Sequence, residues 1–139
     1  MAFYNLENLF DTLDSPMSGD FGWTPGGGKA WDTERYQRKL NHLAYVIEKL
    51  DADDKQAGPD ILGFCEVENR TVVKDLINTS PIDHAGYEIV HYDSPDHRGI
   101  DVGLLYRKDR FELIDSKTYT LTFPGEDYNT RDQLLVVGK

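Results

Sequence analysis

An α/β fold, a mixed β-sheet with helices on one face, is what this sequence predicts, and three features predict it. Tyr36, Leu40, Leu43, Ile47 and Leu50 recur at spacings of four, three, four and three, an amphipathic helix over about 33–50. The short apolar run Ile61-Leu62-Gly63-Phe64-Cys65, introduced by Gly58-Pro59, reads as a central strand covered on both faces. Beyond it the chain shows one short helical pattern and then only strand-like stretches. The order β-α-β-α followed by β-β-β-β places the helices on one side of a mixed sheet.

Taken in order, Ala2-Phe3-Tyr4-Asn5-Leu6 forms the first strand, with Asn5 a polar interruption near its end. Asp14 to Gly28 is turn-rich, and Trp23-Thr24-Pro25-Gly26-Gly27-Gly28-Lys29 superficially resembles a phosphate loop. It fails that test: Trp23 stands five before Gly28, no Ser or Thr follows Lys29, and no strand leads in. It reads instead as an irregular excursion anchored by Trp23 and Trp31. Asp32 is the N-cap of the long helix, with Glu34 in its first turn. Arg35, Arg38 and Lys39 fall on its solvated side, and Asp51 to Gly58 is a polar loop. After the central strand, Val72, Val73, Leu76 and Ile77 mark a second helix over 71–78, with Glu68-Asn69 leading into it. Strands follow at Tyr87 to Tyr92, Ile100 to Tyr106, Phe111 to Thr122 and Leu134 to Val137.

Bulk properties bound the function. At 139 residues the chain is one domain with a real core. It contains no apolar run of membrane-spanning length and no cleavable leader pattern, so secreted and cytoplasmic locations both stay open. One cysteine excludes an internal disulfide, and Cys65, inside a buried strand, reads as packing rather than nucleophile. A net charge of −10 opposes broad association with a polyanion. A phosphate-bearing ligand therefore needs a metal ion or a local arginine cluster to reverse the field at its site.

Glu66 stands where the buried strand surfaces, and the carboxyl ends of strands are where ligands collect in open α/β sheets. Desolvating a carboxylate costs several kcal/mol unless a cation or donors compensate. Glu66 therefore points to a cation, while a strand ending in solvated charge stays open as the plain alternative.

Phe3-Tyr4-Asn5-Leu6-Glu7-Asn8-Leu9-Phe10-Asp11 resembles the opening of the endonuclease/exonuclease/phosphatase superfamily, the deoxyribonuclease-I-like fold, in a bacterial branch. Trp31 with Arg35-Tyr36 and Lys39, Ile61 through Glu66, and Arg98-Gly99-Ile100-Asp101-Val102 with Leu104 to Arg107 follow in the same order and spacing. The resemblance implies that residues 1–139 are the N-terminal half of a four-layer α/β/β/α sandwich. It implies a metal-dependent phosphoesterase of nuclease or phosphatase type, with Mg²⁺, or Mn²⁺ in its place, held by Glu66 and oriented by Asn5. Arg98 and Arg131 match substrate-binding arginines, and an ordinary surface arginine explains either equally well. Asp101 matches a residue supporting a downstream histidine, and a polar strand face explains it as well. The family's Gly-Asp-x-Asn and terminal Ser-Asp-His motifs have no match in this sequence, and Asp83-His84 and Asp96-His97 sit in the wrong places to replace them. The expectation is that this piece alone is inactive. Its partners would be a phosphate ester, nucleic acid among them, and either the missing half or a second copy across an exposed sheet face. The alternative is a non-catalytic interaction domain that keeps the fold.

Overall fold

The computed structural model describes residues 1–15, 19–50, 58–125 and 128–139. The expected loop over 51–58 lies outside the described residues except at Gly58. The elements run β1 (Ala2–Leu9), α1 (Thr33–Lys49), β2 (Ile61–Val67), α2 (Arg70–Ile77), β3 (Tyr87–His91), β4 (Asp101–Arg107), β5 (Leu113–Tyr119) and β6 (Gln133–Gly138). A one-turn 3-10 helix, Phe21–Trp23, lies in the excursion between β1 and α1. Among the described residues, no helix is long and apolar enough to cross a membrane.

The main sheet has the order β1-β2-β4-β3, with β1 parallel to β2 and the other pairs antiparallel. The apolar run Ile61–Val67 is thus central, as its composition requires. The predicted mixed sheet with helices on one face is present, but it does not hold every strand. Among the described residues, β5 and β6 pair only with each other, as a separate two-stranded sheet. β5 is also shorter than its pattern suggested, ending at Tyr119.

The core lies between the sheet and the helices. Tyr36, Leu40, Leu43, Ala44 and Ile47 of α1 and Val72, Val73 and Leu76 of α2 bury against Leu6, Leu62, Phe64, Val67 and Leu105 of the sheet. Asp32 caps α1 by accepting from the Arg35 amide at 2.9 Å, and Asn69 caps α2 by accepting from the Thr71 and Val72 amides at 2.7 and 3.1 Å. The excursion closes on aromatic contacts, Trp23 stacking on Phe10 with ring centres 5.1 Å apart and meeting Trp31 edge-on at 5.3 Å. The Trp31 indole N–H donates to the Phe10 carbonyl at 3.0 Å.

The opposite face of the sheet is treated differently. Phe3, Gly63, Val102 and Leu104 look out from it, and Leu134 and Val136 of β6 line the other side of a groove of about 740 Å³. Phe3 keeps 68% of its surface exposed there.

Candidate functional site

Two irregularities at the same end of neighbouring strands build the site. Cys65 pairs with Val102, yet Val67 pairs with Asp101, so β2 carries one residue more than β4 over that step. The extra residue is Glu66, held at φ +66°, a left-handed conformation that costs a non-glycine residue about 1–2 kcal/mol. Strict alternation from Phe64 would have turned Glu66 into the helix-side core. The bulge gives that place to Val67, which is fully buried, and takes the Glu66 side chain out of the helix-side core to a partly buried position, 18% exposed, beside Arg131.

β1 is interrupted alongside. Asn5 pairs with Cys65 and Leu9 with Val67, so β1 spends three residues where β2 spends one. Glu7 and Asn8 absorb the excess at φ +53° and +60°, and Leu9 then returns to the core. Asn5 is exposed, and its Oδ1 accepts from the Glu7 amide at 2.8 Å. Asn5 and Glu66 therefore stand on adjacent strands, one residue apart in register, with neither side chain in the apolar interior.

Lys39 corrects the expectation of a solvated helix side. It is half-buried, and its ammonium donates to the carbonyls of Glu7 and Asn8, tying α1 to the looped-out part of β1. Burial lowers its pKa, opposed by the negative charges of Glu7 and Glu66. The sequence signal was present, because Lys39 directly flanks the Tyr36–Leu40–Leu43 stripe.

An alternating chain of charges continues from Glu66. Its Oε1 meets Arg131 Nη1 at 3.4 Å, and Arg131 Nε approaches Asp96 Oδ2 at 4.0 Å. Asp96, with its carboxylate fully buried, is gripped by Arg98 through Nε at 3.0 Å and Nη2 at 2.8 Å, and by the Arg98 amide at 2.9 Å. Burial pushes the Asp96 pKa up, but the Arg98 bonds outweigh it and hold the carboxyl below its ordinary value. Arg98, Arg131 and Glu66 are thus brought into one network. Asp96 is engaged chiefly by Arg98, with His97 Nδ1 farther off at 3.8 Å from its Oδ1. Asp83 and His84 are both exposed beyond α2, bonded to each other at 3.2 Å.

Glu68 and Asn69 separate in role. Asn69 keeps the expected place at the helix entry, where it caps α2. Glu68 instead accepts from the Asp11 amide at 2.8 Å, and burial together with the charges of Asp11 and Asp20 raises its pKa to about 7. Protonated Glu68 costs the fold nothing below about pH 4.5, and its ionisation removes stability as pH rises through about 7. Cys65 has its thiol pKa raised by burial, which suits packing and not nucleophilic attack. Asp101 is not a polar strand surface. It is buried, its Oδ1 accepting from the Ser94 amide at 2.8 Å and hydroxyl at 2.7 Å, with His91 Nε2 3.1 Å from its Oδ2.

A carboxylate near a strand end beside an exposed amide, with Arg131 bonded to it and Arg98 joined through Asp96, can meet a phosphate ester. The sequence model of the endonuclease/exonuclease/phosphatase family matches residues 1–139. The chain belongs to that family. Its members are generally hydrolytic enzymes of phosphoesterase and nuclease type, and they typically use divalent metals. Among solved structures the chain is similar to the endonuclease/exonuclease/phosphatase from Bacteroides vulgatus, with 20% identity and a TM-score of 0.47. That likeness covers 93% of this chain and 38% of the other. No curated protein matches the sequence.

Proposed function

We propose that this chain carries the metal-binding half of a phosphoesterase site, with Glu66 the metal ligand and Asn5 its neighbour. The observation that carries the reading is the bulge at Glu66: a strained left-handed residue lifts one carboxylate out of a dry strand and sets it beside Asn5. Mg²⁺ takes one or two carboxylates and keeps waters and phosphate oxygens in its shell, so a single glutamate with one amide suits it, and Mn²⁺ would fit the same donors. When bound, the ion would offset the negative charge that builds on the phosphate oxygens as water attacks.

The protein's own residues divide the remaining work. Arg131, linked to Glu66, and Arg98, oriented by the buried Asp96, supply positive charge for the substrate phosphate. Lys39 holds the β1 excursion that carries the chain past Asn5. The net charge of −10 favours a compact phosphate ester over long duplex DNA, because an acidic chain opposes broad association with a polyanion. Neither Asp-His pair supplies the general base, so that group is assigned to a polypeptide segment beyond these elements. We assign the apolar groove on the far sheet face to the same complement, either the other half of the fold or a second copy.

The test joins this chain with a downstream half from the family and follows a chromogenic phosphodiester and plasmid DNA, with Mg²⁺ and with chelator. Hydrolysis is expected to require the metal and to fall at least about 100-fold in Glu66→Gln, as for loss of one charge-stabilising group. Metal-independent cleavage, or full activity in the Gln variant, removes Glu66 from this role.

A further inference from the structure

A second cation-competent group of side chains lies away from Glu66, on the helix-bearing face of the sheet. His91 is the last residue of β3 and Asp101 the first of β4. His91 pairs with Gly103, which puts Asp101 diagonally across from it on the same face. Asp93, two residues beyond His91, completes the group. One ligand atom from each of the three lies within 4.8 Å of the others.

The imidazole shows that this is more than a cluster of acids. The His91 side chain is only 2% exposed, and its Nε2 is buried without a hydrogen-bond partner. Asp101 Oδ2 lies 3.1 Å from that nitrogen, but the approach does not meet hydrogen-bond geometry. A buried imidazole nitrogen beside a carboxylate oxygen, close yet not bonded to it, is how two ligands of one metal stand. Bond lengths of about 2.0–2.2 Å put neighbouring ligands roughly 3.0–3.5 Å apart. Asp101 is also prepared from behind. Its Oδ1 is held by the Ser94 amide and hydroxyl, which fixes the carboxylate and leaves Oδ2 facing His91. Asp93 is exposed, and together with Asp101 it lines a cavity of about 420 Å³ bounded also by Glu68, Asn69, Ser94 and Asp96.

We propose that His91, Asp93 and Asp101 form a binding site for a divalent transition-metal ion of the zinc class. The donor set separates it from the Glu66 site. One imidazole nitrogen with two carboxylates suits zinc and its neighbours, whereas oxygen-only donors suit magnesium and calcium. The proposal shares no residue with the phosphoesterase reading and stands or falls without it.

The experiment is equilibrium dialysis of the 139-residue chain, stripped with chelator, against Zn²⁺ in excess Mg²⁺. One equivalent of Zn²⁺ is expected to bind, with affinity falling at least about 100-fold in His91→Gln and Asp101→Asn and about tenfold in Asp93→Asn. Glu66→Gln is expected to bind Zn²⁺ as the parent does. Circular dichroism reports whether each variant folds. Asp101→Asn keeps an oxygen for Ser94, and Asp93 is exposed, so Asp93→Asn decides the matter should the buried substitutions unfold. Absence of stoichiometric Zn²⁺, undiminished binding in the folded variants, or loss of binding in Glu66→Gln would overturn the proposal.

Discussion

Glu66 occupies a backbone conformation that sequence preference argues against, and its side chain sits in a strand whose every other demand is apolar. Both costs fall on the residue proposed as the metal ligand, and strain of this kind persists only where the surrounding structure over-determines the geometry. The strain can be measured. Glu66→Gly relieves the left-handed penalty while adding backbone entropy, so its stability should stay within about 1 kcal/mol of the parent. Glu66→Val places a β-branched residue at φ +66° and should fall about 2 kcal/mol below the glycine variant in urea denaturation. Equal stabilities for Val and Gly would mean that the bulge does not hold this residue left-handed in solution. The identity of Glu66 as a strand-end acid was legible from residues 60–69, but its orientation was not. Alternation alone would have buried it, and only the extra residue relative to β4 decides otherwise.

Among the elements, β2 and α1 were the most legible, because an unbroken apolar run and a 3.6-residue stripe each allow few other structures. The β5–β6 pair was less so. Its strand patterns are real, but pairing partners depend on contacts far along the chain, which local pattern does not carry. Two glycines test how the layers meet. A Cβ on Gly103 would lie 2.3 Å from Phe64 Cζ, packed on the core side, and 2.9 Å from the Val90 backbone carbonyl of the neighbouring strand. A Cβ on Gly63 would meet only the Phe3 ring, at 2.8 Å, on the far face, where Phe3 is 68% exposed and can swing aside. Gly103→Ala should therefore cost about 1–3 kcal/mol, and Gly63→Ala less than about 1 kcal/mol. Comparable shifts in the two denaturation midpoints would show that the helix-bearing face is not the tightly packed one.

Over the whole molecule, the two faces of the main sheet differ in what they bury. One is sealed by α1 and α2, while the other holds an apolar groove between Phe3, Val102 and Leu104 and the β6 side chains. A second copy is the partner that any solution of the chain contains. Sedimentation velocity should show concentration-dependent association, weak at low salt because each copy carries −10, and stronger as added salt screens that charge. Phe3→Asp should weaken it and reduce binding of a hydrophobic dye. A monomer at every concentration and salt level, with no dye binding, would show that the groove needs no cover.

The sequence by itself determined the α/β class, the central strand, both helices with the Asp32 cap of the first, and the family, since each rests on local pattern or on motifs in register. Tertiary structure alone decided that a bulge turns Glu66 away from the helix-side core, that Lys39 serves β1, and that Arg98 is bound to Asp96. It also decided that His91 and Asp101 meet across two strands. The reason is that bulges, register and buried ion pairs are set by residues distant in the chain, and a one-residue shift between strands changes which side chains share a face.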